Sequence, residues 1–103
     1  RTAFNSEEQE LATLAKALSH PARIAILKEL AKRQTCVCGE IVEVLPLALS
    51  TVSQHLKELL TAGLIKGTVD GAKSCYCINY EAVKRLEKML GTFFTVTVKG
   101  ACC

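Results

Sequence analysis

The sequence lacks any run of about 18 consecutive apolar residues, the length a membrane span requires, and its N-terminus lacks the basic-then-apolar pattern of a secretory signal. A cytoplasmic chain without a membrane partner is therefore expected. It also lacks a Cys-x-x-Cys pair, so the usual redox motif of a thiol-disulfide oxidoreductase is missing. No paired carboxylates, serine-histidine constellation or phosphate-cradling glycine loop supports any other catalysis. The expectation is a protein that is not an enzyme and has no organic cofactor. With no internal repeat, low-complexity run or linker, residues 1–103 read as one domain. A domain of this length buries its surface less completely than a larger one, which makes pairing a natural source of stability. A net charge of +3 fits weak attraction to nucleic acid but decides nothing alone.

What the chain does have is six cysteines, in the close couples Cys36/Cys38, Cys75/Cys77 and Cys102/Cys103. In a small secreted domain such a count signals a disulfide framework that substitutes for a core. Here 50% of the residues are apolar, mostly on helical or strand periods, so a core is available without bridges. Reduced thiols in an intracellular protein are expected.

The helical signals begin with Ser6 as N-cap, its hydroxyl serving the amide of Gln9, ahead of a stripe of Leu11, Leu14, Ala15 and Leu18. Pro21 restarts the chain, and Ile24, Leu27, Leu30 and Ala31, with Ile26 beside them, carry a second helix to about Arg33. Thr35-Cys36-Val37 leans to strand, and from Cys38 the spacing of Ile41, Val42 and Leu45 is helical until Pro46. After a turn at Leu47-Ala48-Leu49, Ser50 is expected to cap a helix with Val52, Leu56, Leu59 and Leu60 inward, ended by a Schellman stop at Gly63-Leu64. Two short helices joined by a tight turn make a helix-turn-helix. Alternation through Ile65, Gly67 and Val69, the Asp70-Gly71 dipeptide, and Ser74, Tyr76 and Ile78 then read as a hairpin, the wing. From Glu81 a last helix carries Val83, Leu86, Leu90 and Phe93, with Met89 and Phe94 flanking, until Gly91 and the Thr/Val-rich tail blur the pattern. The fold class is mainly α with a small β-hairpin: a winged helix-turn-helix, homodimeric, with first and last helices as dimer face.

Three separated segments carry a family likeness. Ala17-Leu18-Ser19-His20-Pro21-Ala22-Arg23-Ile24, Thr35-Cys36-Val37-Cys38-Gly39-Glu40-Ile41, and Ser50-Thr51-Val52-Ser53-Gln54-His55-Leu56 with Ala62-Gly63-Leu64-Ile65 together resemble the ArsR/SmtB metalloregulators, over about residues 7 to 94. The resemblance implies a winged-helix homodimer that holds its operator, double-stranded DNA, and leaves when a metal or metalloid binds. There are two departures. Arsenic-sensing members often carry a third cysteine three residues after the pair, where this chain has Ile41; zinc-binding members use histidines on the last helix, and residues 81–94 contain none.

A helix in the major groove reads base edges near its N-terminus, while lysines hold phosphates. Thr51, Ser53, Gln54 and His55 are the expected readers, and Ser50, Lys57, Lys66, Lys73 and Arg23 the expected phosphate contacts. Soft thiolates select soft ions, and trivalent arsenic or antimony calls for three sulfurs. Cys36 and Cys38 supply two on one face of a strand. Cys102 or Cys103 is the preferred third donor, with Cys75 and Cys77 as rivals if Tyr76 and Ile78 face the core. The expected function is a repressor released by a thiophilic ion such as As(III) or Sb(III). The alternatives are a redox- or persulfide-sensing repressor, a plain DNA-binding repressor with incidental cysteines and a thiol-disulfide oxidoreductase.

Overall fold

The structure, a computed structural model, describes residues 3–34, 36–38, 48–68 and 75–99. Helix α1 runs from Ser6 to Ala17 and is capped by Asn5, one residue earlier than expected. The Asn5 side chain accepts the Glu8 N–H at 2.7 Å, and Glu8 Oε1 accepts the Asn5 N–H at 3.1 Å. A carboxylate is the stronger acceptor, so the box closes on Glu8 rather than Gln9. Gln9 Nε2 donates instead to the Phe4 carbonyl at 2.9 Å.

Helix α2, Pro21–Arg33, has Pro21 in its first turn and His20 as N-cap. Its buried stripe is Ala22, Ile26 and Leu30, an i, i+4, i+8 series, while the expected Ile24 is 46% exposed. Of the expected stripe, Leu30 is buried and Leu27 packs half-buried against the core, while Ile24 and Ala31 are exposed. Gln34 ends the helix in the left-handed region at φ 55°.

The helix expected from Cys38 lies outside the described residues except for Cys38 itself, which is in a strand, and the turn at Asp70-Gly71 and the cysteine-ending tail lie outside them too. Helix α3, Leu49–Ala62, is preceded by Ala48, which makes no side-chain cap bond. Ser50 is therefore inside the helix and not its cap: the Thr51 and Val52 amides both reach the Ala48 carbonyl at 3.0 Å. The expected stop is present. Gly63 has φ 84°, and the Leu64 N–H reaches the Leu59 carbonyl at 3.0 Å.

Strand β1 is Val37–Cys38, β2 Ile65–Thr68 and β3 Cys75–Ile78, in the antiparallel order β1-β3-β2. Pairing Ile65 with Ile78 and Thr68 with Cys75 makes β2 and β3 a hairpin that follows α3 directly. Asn79 ties the two: its side-chain amide donates to the Gly63 carbonyl at 3.0 Å, and its backbone N–H donates to that of Leu64 at 3.0 Å. At Gly67, φ is +127° and a Cβ would collide with the Cys75 carbonyl, so a side chain there is excluded.

Helix α4, Tyr80–Lys99, runs unbroken for 20 residues through Gly91, beyond the point where the sequence pattern blurs. Thr95 and Thr97 fold their hydroxyls onto the Gly91 and Phe94 carbonyls at 2.8 and 3.1 Å, so their polar groups are satisfied within the helix. Its first half packs on the body through buried Leu86, and a bidentate pair from Arg85 to Glu10 joins it to α1 at 2.6 and 2.7 Å. Its second half leaves Phe93, Phe94, Val96 and Val98 exposed. Among the described residues no helix is long and apolar enough to cross a membrane. One core collects Leu14, Ile26, Leu30, Val37, Val52, Leu56, Leu59, Leu64, Ile65, Tyr76 and Leu86 from every described element.

Candidate DNA interface and thiol site

Burial of Val52, Leu56 and Leu59 fixes which side of α3 faces away from the body. Ser50, Thr51, Gln54 and Lys57 are exposed and Ser53 is half-buried. Gln54 Nε2 lies 3.4 Å from Glu58 Oε1, a long bond that leaves the amide free to exchange partners.

His55 is not on that face. It is 8% exposed, its ring lies against that of His20 with centroids 4.3 Å apart, and its Nδ1 accepts the Arg23 Nε–H at 3.2 Å. This corrects the expectation that it reads bases, and the reason is periodicity: His55 stands three residues after Val52 and four before Leu59, inside the buried stripe. Arg23 is likewise turned inward, its Nη1 donating to the Lys16 and Ala17 carbonyls at 3.3 and 3.5 Å. Burial foremost, then the charges of His20 and Arg23, lower the His55 pKa, and Glu58 partly opposes them. Lys66 is exposed on β2, and Lys73 lies outside the described residues.

The sheet brings sulfurs together. Val37 pairs with Tyr76 and Cys38 with Cys75, so the same register sets Cys36 opposite Cys77. Tyr76 and Ile78 are buried, and alternation therefore turns Cys75 and Cys77 to the other face, as the sequence condition required. Cys36 and Cys77 are free thiols. A hydrogen bond with Cys36, together with burial, raises the Cys77 pKa, while Lys66, its neighbour on β2, pulls the other way. Gln34, Cys36, Lys66, Cys77, Ile78 and Tyr80 line a cavity of about 260 Å³ over this pair.

Cys75 is disulfide-bonded, which departs from the expectation of wholly reduced thiols. Among the described residues no group of three or more His, Cys, Asp or Glu side chains is set to hold a metal ion. The side chains of Cys38, Cys102 and Cys103 lie outside those residues. The contact between Cys36 and Cys77 was legible only as a rival option, because pairing register is a long-range property that spacing alone does not fix.

Known proteins resemble this arrangement. A helix-turn-helix domain family matches residues 18–68. An arsenical resistance operon repressor of Bacillus subtilis is 39% identical over 90 residues, covering 85% of each chain. The HTH-type transcriptional repressor SmtB of Mycobacterium tuberculosis is 43% identical over 63 residues, which are 61% of this chain and 46% of that one. An ArsR-like transcriptional regulator from Rhodococcus sp. RHA1 shares the fold, with a TM-score of 0.70 at 22% identity over 89% of this chain and 86% of that one. The helix-turn-helix, its wing and these relatives together place the chain in the ArsR/SmtB family of DNA-binding transcriptional repressors.

Proposed function

We propose that this repressor binds operator DNA in the cytoplasm as a homodimer and releases it when a thiophilic ion, As(III) or Sb(III), is captured by thiols at the base of the wing. The single observation that carries the reading is the contact between Cys36 and Cys77, two free thiols on the sheet that joins the wing to the helix-turn-helix. The arsenical resistance operon repressor of Bacillus subtilis among the relatives supports the choice of ion.

Cys36 is the anchor of the proposed donor set. Cys38, Cys102 and Cys103 are its proposed partners, and the Cys36 contact strengthens Cys77 as the rival third sulfur. Arsenite is As(OH)3 at neutral pH, so each thiol that forms an As–S bond passes its proton to the hydroxyl it displaces, and one water leaves per sulfur. Ser50, Thr51, Ser53, Gln54 and Lys57 on α3, with Lys66 and Lys73 on the wing, are the proposed DNA contacts. Ser and Thr serve several bases and Gln is suited to adenine. The proposed dimer face lies on α1 and α4, where Phe93, Phe94, Val96 and Val98 are exposed.

An ion displaces DNA only by favouring the arrangement that does not bind it, and couplings of about 1–3 kcal/mol are typical. Capture at the β1–β3 ladder achieves this by shifting the wing against α3, to whose end Asn79 ties it. Titration of arsenite into a complex of the protein with a fluorescent operator duplex tests the reading. Release is expected, and retention of DNA at saturating arsenite defeats it.

A second reading has its own observation, the disulfide at Cys75. Here a peroxide oxidises Cys36 and Cys77 to a disulfide, two thiols and H2O2 giving one S–S bond and two waters. Release of DNA by peroxide but not by arsenite favours it.

A further inference from the structure

We propose that Arg23 and His55 are a positioning pair that holds α3 in its DNA-reading orientation only while the His55 imidazole is neutral, so that mild acid loosens α3 and weakens DNA binding. The thiols do not touch this contact. The proposal rests on the family's DNA binding for one of its two readouts.

The donor inventory forces the protonation state. A guanidinium has five N–H donors and no acceptor, so the Nδ1 that receives Arg23 Nε–H must carry its lone pair, and the proton of His55 resides on Nε2. His20, packed on the same ring, is constrained alike: its Nδ1 accepts the Ala22 N–H at 3.0 Å as the N-cap of α2. The two rings thus meet with each Nδ1 already committed as an acceptor.

The geometry makes the contact a junction of three helices. One guanidinium on α2 holds the terminal carbonyls of α1, at Lys16 and Ala17, and the imidazole in the middle of α3. His55 directly follows Ser53 and Gln54 in α3. A helix moves as a unit, so displacement of His55 carries those two side chains with it.

Protonation reverses the interaction. A proton on Nδ1 sets N–H against N–H and adds a cation beside Arg23 and His20, the charged or titratable groups that face His55 from α2. From its own helix only Glu58 offsets the added charge, and α1 contributes the two carbonyls. The sign follows from linkage. Because the folded pKa lies below the unfolded one, near 6.5, the contribution of His55 is complete above that value and is lost as pH falls through the folded pKa. The chain has only two histidines, and both are in this contact. Histidine is the side chain whose ordinary titration falls between pH 5 and 8.

The test uses the full chain at pH 7.5 and 5.5. Hydrogen-exchange protection of the α3 amides is read without DNA, and affinity is read against a duplex selected from a random-sequence pool at pH 7.5. Wild type is expected to lose α3 protection and about tenfold in affinity at pH 5.5, within the usual range of coupling between two sites. His55→Ala is expected to weaken binding already at pH 7.5. His55→Gln, whose amide oxygen can accept from Arg23 without titrating, is expected to recover most of that loss and to flatten the pH profile. The proposal is overturned if wild-type α3 protection is the same at both pH values, or if His55→Gln follows the wild-type pH profile. Absence of binding to any duplex counts against the DNA function alone, because the exchange measurement still decides the positioning pair.

Discussion

The register of the β1–β3 ladder sets Cys36 opposite Cys77, two free thiols on the face of the sheet opposite buried Tyr76, where Cys36 raises the Cys77 pKa. Neither cysteine is adjacent to the other in sequence, and the contact exists only because Val37 pairs with Tyr76. Loss of either sulfur should therefore blunt the response to arsenite. Cys36→Ser and Cys77→Ser are each expected to raise the arsenite concentration needed for half-release of DNA by about tenfold, within the usual 5–150-fold range of coupling. Fluorescence anisotropy of an operator duplex measures it. A Cys77→Ser protein that responds like wild type would return the third-donor role to Cys102 or Cys103.

The same contact sets the reactivity of Cys77. Its raised pKa keeps the thiol protonated, and the thiolate is the nucleophile. Alkylation of Cys77 by iodoacetamide, followed by mass spectrometry, should at pH 7.5 be slower than that of a free cysteine and should accelerate at a higher pH than usual. Replacing Cys36 with Ala removes the leading cause and should speed the reaction. By linkage, a thiol whose folded pKa is raised contributes stability that is present below the unfolded value and is lost as pH rises toward the folded one. Thermal unfolding should accordingly fall on the alkaline side in wild type and less so in Cys36→Ala.

Much of the fold was legible because its punctuation is local. Pro21 starts α2, Gly63-Leu64 closes α3, and alternation locates Tyr76 and Ile78 in the core, all through interactions within a few residues. The misses share a different cause. Asn5 displaced Ser6 as a cap because a carboxylate competes better than an amide three residues on. At His55 residue type and helical phase disagree: a polar side chain suits the groove, but its phase places it with buried Val52 and Leu59. The continuation of α4 through Gly91 and its Thr/Val segment overrides weak propensities, since a helix already nucleated extends at little cost. The Cys36 and Cys77 contact needed a register, which no short window contains.

Gly67 offers a stability test of the wing. With φ at +127° and the Cys75 carbonyl in the way of any Cβ, Gly67→Ala combines backbone strain with a steric clash. A destabilisation of about 1–3 kcal/mol is expected from the backbone alone. Urea unfolding should show a lower midpoint with an unchanged slope. A substitution that leaves the midpoint in place would mean that β2 does not hold this register.

The second half of α4 bears on assembly. Phe93, Phe94, Val96 and Val98 are 46%, 54%, 66% and 70% exposed, a concentration of large apolar side chains unusual on a free monomer. If this surface is the dimer face, a charge placed in it meets either its own copy across a two-fold axis or the apolar surface of the partner. Both are unfavourable, the first by repulsion and the second by desolvation. Val96→Glu should therefore shift the protein from dimer to monomer in sedimentation velocity. α4 should remain helical, because the side chain is exposed and Glu is the better helix former. Since two half-sites are held together only through the dimer, the monomer should also bind operator much more weakly than wild type at equal concentration. A Val96→Glu protein that sediments as a dimer would exclude this part of α4 from the interface and leave its apolar side chains to another partner.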